Sequence, residues 1–368
     1  MIPVAEPHVT ERDIELVNEA LKSGWISSAG AFLDLFEERW AAYCGMPHGI
    51  AVSNGSVALD VAVSLLDLAP GDEVIMPAFT IISPAQSIVR AGGIPVLVDS
   101  DPRNWQMDAG QIVAKITPRT KAILVVHIYG HPADMDPILE IARCHGLLVV
   151  EDAAEVHGAE YKGRRCGGLA DISTFSFYAN KLVTTGEGGM VLVRTQQLAE
   201  RARSLRNLCF QKKQRFLHDE LGYNFRLTNL QAALGVGQME RIDEIVVHKR
   251  AIAAAYTDLL VDVPGIQLPV EEPWAKNVYW VYGLVLDEAR GLQAAILADR
   301  LRDRGIETRP FFLGMHQQPV FQSRGLFKGE RYPVAERLSG QGLYIPSGLN
   351  LNDQQIREVA NAVKECLK

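Results

Sequence analysis

Cysteine is scarce. Cys44, Cys144, Cys166, Cys209 and Cys366 are odd in number, widely spaced and free of any C-x-x-C, which excludes a disulfide framework and a zinc knuckle and leaves reduced thiols. Long apolar runs are missing too: no stretch approaches the roughly 18 residues that cross a bilayer. The amino-terminal MIPVAEPHVTERDIELV has no cationic flank before an apolar core, so an export signal is not expected and the chain reads as cytoplasmic. Positive charge is in deficit, with Lys plus Arg at 37 against Asp plus Glu at 44 and a formal charge of −7, the wrong sign for a nucleic-acid binder. Proline numbers only 18 against 31 glycines, and hydrophobic residues make up 48%, so disorder and collagen are excluded. No repeat of the length used by solenoids or propellers recurs.

What does recur is alternation. Seven β-rich runs, GIAVS (49–53), EVIMP (73–77), PVLVD (95–99), AILVV (122–126), LLVVED (147–152), STFSF (173–177) and GMVLV (189–193), are mostly separated by stretches with helical spacing. Continuous apolar strands such as AILVV are what burial on both faces demands, so the expected fold is α/β with a mainly parallel seven-stranded sheet between helices. In such sheets ligands sit beyond the carboxyl ends of the strands. A helix-like run over 239–260 leads to VPGIQLPVEEPW, whose Pro264, Pro269 and Pro273 break regular structure. A boundary there gives a large domain over 1–240 and a smaller carboxyl-terminal α+β domain over 241–368. The second holds a strand-like NVYWVYGLVL (277–286), a helix-like stretch over 291–305 and a last helix after Asn352.

Three motifs stand at strand ends. In SNGSVALDVAV a strand ends at Ser53, Asn54-Gly55 turns, and Ser56 opens a helix whose free N–H groups suit a phosphate, although taken alone the residues more often make only a turn and cap. In LLVVEDAAEVHG an apolar strand delivers Glu151 and Asp152, and a carboxylate stranded there needs a cation or donor. In STFSFYANKLVTTGEGGMVLV, Ser176 lies near a strand end and Lys181 in the following loop. Small and polar neighbours and three later glycines make it a candidate Schiff-base lysine. A phosphate site, a strand-end aspartate and a lysine are the three anchors that pyridoxal phosphate requires.

The order SNGS, PAFT, VHIYGHPADM, EDAAEVHGA, FSFYANKLVTTGEGG, GYNFRLTNLQAALG, TRPFF and MHQQPVF resembles the sugar-nucleotide aminotransferases of pyridoxal phosphate fold type I, the DegT/DnrJ group, over nearly the whole chain. The resemblance implies that Lys181 forms the imine with pyridoxal 5′-phosphate and that Asp152 faces its pyridine nitrogen. Gly55, Ser56 and Ser176 would bind its phosphate, and Asn224 would reach that phosphate from the neighbouring protomer of a homodimer with shared sites. Glu155 stands where relatives often place Gln or His near the phenolic oxygen. Ile81 replaces an aromatic ring that many relatives set against the cofactor. The implied reaction moves the amino group of L-glutamate onto a nucleotide-linked ketosugar. Within the family, FYANK-x-x-TTGEGG with EDAAE looks most like members that aminate C4 of GDP-4-keto-6-deoxymannose. A C3- or C4-aminotransferase of a dTDP- or UDP-linked ketosugar is the alternative. Relatives that dehydrate the sugar have histidine at the Lys181 position.

Other conspicuous residues are weaker candidates. Arg226 and Arg309 suit diphosphate oxygens, His157 and His316 could contact substrate, and Trp25 matches a segment at the family's active-site rim. His127 and His131 straddle a strand end and a loop rather than one helix face, so no metal site is expected. Tyr279, Trp280 and Tyr282 alternate as in a strand and read as packing of the small domain.

Overall fold

The computed structural model describes residues 1–368 apart from 212 and 215. Helices α1 (Glu11–Ser23) and α2 (Ala31–Tyr43) precede the first strand. Strands β1 (His48–Val52), β2 (Glu73–Pro77), β3 (Ile94–Val98), β4 (Thr120–Val126) and β5 (Leu148–Asp152) follow, with α3 (Gly55–Ser64), α4 (Ser83–Arg90) and α5 (Met135–His145) between them. A short hairpin of β6 (Glu160–Tyr161) and β7 (Arg164–Arg165) leads into β8 (Ile172–Ser176) and β9 (Gly189–Val193). The sheet order is β1-β9-β8-β5-β4-β2-β3, with β9 antiparallel to both neighbours and every other pair parallel. All seven expected strands are therefore in one sheet. Their apolar runs are continuous because helices cover both faces: in β4 only Lys121 is exposed.

Local chemistry marks the helix ends. Thr10 and Asp13 form a capping box at α1, whose end at Gly24 is left-handed with φ 75°. Asn54 caps α3 by accepting the Val57 N–H at 3.0 Å. After α6 (Gln196–Arg206) come α7 (Asn229–Met239) and α8 (Ile242–Leu260), so the helix expected over 239–260 is present as α8 and begins three residues later, Met239 closing α7 instead.

The remaining chain carries β10 (Ile266–Gln267), β11 (Ala275–Lys276), β12 (Tyr282–Leu286), α9 (Ala294–Arg302), β13 (Arg309–Pro310), α10 (Pro319–Gln322), α11 (Pro333–Gln341), β14 (Gly342–Ile345) and α12 (Asp353–Cys366). Strands β10-β12-β14-β13 form a second, antiparallel sheet. The expected strand over 277–286 is correct only from Tyr282 onward. Tyr279 adopts φ 48°, a left-handed conformation that interrupts an extended run. Two hydrophobic cores result, and packing crosses the 240/241 division: Ile242, Ile245 and Val246 of α8 join the first core, while Ile252, Ala253, Tyr256 and Leu260 join the second.

Candidate active site

A cavity of about 680 Å³ opens at the carboxyl ends of the parallel strands. Val126 at the end of β4, Asp152 at the end of β5 and Ser176 at the end of β8 reach it, as do Asn54, Gly55 and Ser56 at the start of α3. The N–H groups of Gly55 and Ser56 lie in the first turn, where a helix has no internal partners for them. Glycine is required at 55, because a Cβ there would stand 2.6 Å from the Ser176 Cβ. At Gly189 it would stand 2.4 Å from the Asn54 carbonyl oxygen, so the glycines after Lys181 let β9 close against the phosphate-type turn.

Lys181 enters from the loop after β8. Thr185 N–H bonds the Phe177 carbonyl at 3.0 Å and Val183 N–H bonds His157 Nδ1 at 3.2 Å, which roots Leu182 and Val183 in the core and turns Lys181 to the cavity. Its side chain is 10% exposed, with Nζ 3.9 Å from Glu155 Oε1 and 3.6 Å from the centroid of the Trp280 ring. Glu155 accepts the Tyr129 N–H at 2.8 Å. Asp152 accepts the Ala154 N–H at 3.1 Å.

Burial raises the Asp152 carboxyl to about 6, against the opposing pull of the Ala154 N–H, Lys181 and His127. Burial also pushes Glu155 up, opposed by Lys181 and the Tyr129 N–H. The same desolvation pulls the Lys181 amine down, and Glu155 and Asp152 counter it. A partly desolvated amine between two partly neutralised carboxyls can exchange protons at little cost, which is what a nucleophilic, proton-moving lysine needs.

The structure brings Lys181, Asp152, Glu155, Ser176, Gly55, Ser56 and Ile81 to one cavity. It does not bring the others there within this chain. Asn224 is exposed and bridges to Asn207, and Arg226 donates to Asn207 Oδ1 at 2.7 Å. Trp25 is exposed on the surface, its carbonyl accepting from Asn229 at 2.7 Å. Arg309 lines an adjoining cavity of about 320 Å³ that shares Tyr178, Asn180, Trp280 and Tyr344 with the first, and pairs with Glu307 at 2.6 Å.

Both substrate-contact expectations for histidine need correction. His316 is buried against Tyr332 and bonded to Glu336 Oε1 at 3.2 Å, outside the cavity lining. His157 is packed among Trp40, Phe175 and Phe177, where burial first and the nearby Lys181 second lower it to about 3 and keep it neutral. Trp280 departs from its expected role in the opposite direction. It lines the cavity, as do Tyr178, Asn180, Phe312 and Tyr344, none of which had been singled out. The quoted TRPFF run held the signal for Phe312, but nothing in the spacing said which phenylalanine faces inward. His127, Glu151 and buried Cys166 lie close together on the far side of β5. Glu151 there is saturated by His127 and by the N–H groups of Gly167 and Leu169 and the Ser173 hydroxyl.

A mixed seven-stranded sheet that aims a strand-end aspartate, a loop lysine and a helix start into one cavity defines a pyridoxal phosphate-dependent transferase of fold type I. The chain belongs to the DegT/DnrJ/EryC1/StrS aminotransferase family, whose model matches residues 7–364. It is 40% identical over 367 residues to a GDP-perosamine synthase of Caulobacter vibrioides, covering 100% of this chain and 98% of that one. Identity to a GDP-perosamine synthase of Escherichia coli O157:H7 is 39%, covering 99% and 98%. The crystal structure of the aminotransferase TlmJ from Streptoalloteichus hindustanus superposes with a TM-score of 0.93 at 32% identity, covering 100% and 99%.

Proposed function

We propose that this aminotransferase moves the amino group of L-glutamate onto C4 of GDP-4-keto-6-deoxymannose, the reaction of a GDP-perosamine synthase, with pyridoxal 5′-phosphate held at Lys181. The observation that carries the reading is the convergence of Lys181, Asp152, Glu155, Ser176 and the α3 start on one cavity. The relatives named above supply the sugar. The residues present fit the cofactor: the missing Cβ at Gly55 leaves room beside Ser176, and Asp152 is a buried carboxyl short of a cation.

Bound pyridoxal phosphate supplies an electron sink for the carbon that loses a proton. Gly55 and Ser56 N–H groups with the Ser176 hydroxyl hold its phosphate, helped by the dipole of α3. Asp152 keeps the ring nitrogen protonated by ionising against it. Burial raises the Glu155 carboxyl, so it would be able to share a proton with the phenolic oxygen rather than only repel it. Ile81, in the cavity lining, would offer the ring an aliphatic rather than an aromatic contact. Lys181 would hold the cofactor and, as a free amine, would take a proton at Nζ from one carbon and return it to another, the second half-reaction running this transfer backwards.

Asn224, exposed and away from its own cavity, is assigned to the phosphate of the neighbouring protomer, which makes the enzyme a homodimer with shared sites in the cytoplasm. Trp25, Arg226 and Arg309 are retained as sugar-nucleotide contacts. The two-domain division, one lobe carrying the cofactor and a smaller one closing over it, belongs to the same proposal.

Guanine presents adjacent N1–H and N2–H donors, whereas thymine and uracil present a single N3–H between two carbonyls, so one pocket should not serve all three nucleotides equally. The test compares kcat/KM for GDP-4-keto-6-deoxymannose with dTDP- and UDP-linked 4-ketosugars. The GDP sugar is expected to lead; a preference of about a hundredfold for a pyrimidine nucleotide would overturn the GDP assignment and favour the alternative of a dTDP- or UDP-sugar aminotransferase.

A further inference from the structure

Trp280 stands outside the strand whose alternation it seemed to share. The left-handed Tyr279 before it turns the chain. Trp280 is then held through its ring nitrogen and its backbone carbonyl, and its ring face meets Lys181. Its Nε1 donates to the Asn180 carbonyl at 2.8 Å, immediately before Lys181. Its own carbonyl accepts from Lys249 Nζ at 3.0 Å, and Lys249, buried in α8, also bonds Ser347 through both the carbonyl and the hydroxyl, the latter at 3.2 Å. The ring face meets Lys181 Nζ at 3.6 Å from its centroid.

We propose that Trp280 is a positioning residue for Lys181: the indole face is the platform on which the lysine amine rests when it is free, and Lys249 fixes the backbone that carries it. The proposal rests on Lys181 being the reacting amine. An ammonium over an aromatic face is stabilised by the ring quadrupole, most strongly where water is excluded. The charged and titratable groups facing Lys181 are Glu155 and Asp152, with His157 behind the loop. Glu155 draws the amine from one side and the ring receives it on the other, so Nζ is held in place without a full ion pair that would trap its proton. The ring favours the charged form and therefore opposes the desolvation that lowers the amine.

The experiment uses cofactor-free protein labelled with 13C at the lysine ε carbons, the Lys181 signal being the one lost in Lys181→Arg. In the unmutated protein the Lys181 ε protons should be moved upfield by the indole ring current. In Trp280→Leu that displacement should vanish and the Lys181 pKa should fall by about 0.4 to 1.5 pH units, the range a cation–π contact supplies, while Trp280→Phe should keep part of both. Unshifted ε protons in the unmutated protein overturn the platform, and this reading needs no variant to fold. Equal pKa changes in the Phe and Leu variants, or none in Leu, overturn it as well. Borohydride labelling separates the two levels: cofactor trapped on Lys181 without a ring-current effect removes only the platform, whereas cofactor trapped elsewhere removes the Lys181 reading itself.

Discussion

Glu151 and Asp152 are consecutive residues at the end of β5, both carboxylates, both nearly inaccessible, and they live in opposite circumstances. Strand alternation sends them to opposite faces of the sheet. Glu151 meets His127 Nε2 at 3.0 Å, the Leu169 N–H at 3.1 Å, the Ser173 hydroxyl at 3.0 Å and the Gly167 N–H. Burial pushes it up, but His127 and those N–H groups outweigh burial and hold it below the usual carboxylate range. Asp152 has one backbone N–H and lies open to the cavity, so burial wins and its pKa rises to about 6. Burial alone thus says nothing about function. A buried acid whose bonds are complete holds the fold together, and one whose bonds are incomplete waits for a ligand.

Asp152→Asn should show the largest effect. Amination should slow by about a thousandfold or more, roughly 4 kcal/mol in barrier, because an amide cannot keep a ring nitrogen protonated. The cofactor-free fold should respond in the opposite sense. The Asp152 pKa of about 6 lies above the roughly 3.9 of an unfolded aspartate, so the native state holds the proton more tightly and stability falls as pH rises between those values, by up to about 3 kcal/mol. Calorimetry should therefore find the cofactor-free Asn variant melting higher than the parent at neutral pH but not near pH 4. A variant less stable at neutral pH would mean that Asp152 is structurally satisfied after all.

Glu151→Gln should invert this pattern. One of its two oxygens is replaced by an amide NH2 that faces other donors, costing roughly 2 to 3 kcal/mol of stability, while kcat for the folded fraction stays within about threefold. A large loss of kcat with an unchanged melting temperature would erase the contrast between the neighbours.

Much of the fold was legible because its strands are apolar on both faces, and all seven runs found their places in the central sheet. The candidate site was legible in its anchors for a related reason: Asp152, Ser176 and Gly55 lie at strand and helix ends, which a linear reading can locate, and Lys181 stands in the glycine-rich loop that follows one of them. The sequence delivered Glu151 and Asp152 together to one strand end, and which of the two faces the cavity depends on the helices packed against each face. Trp280 was misread because its two tyrosine neighbours imitate a strand, and the left-handed turn at Tyr279 has no signature in its side chain. His316 was misplaced because a buried partner such as Glu336, twenty residues away, is chosen by tertiary packing.

Which amine carries the cofactor decides the mechanism, and the chain offers a built-in rival to Lys181. Burial pulls Lys249 down to about 7, so its basicity alone would suit a nucleophile, yet its bonds run to carbonyls and a hydroxyl rather than into the large cavity. Reduction of the protein with borohydride in the presence of pyridoxal phosphate, followed by peptide mass spectrometry, decides between them. The pyridoxyl group is expected on Lys181 alone; its appearance on Lys249 or on any other lysine, with Lys181 unmodified, would contradict the account.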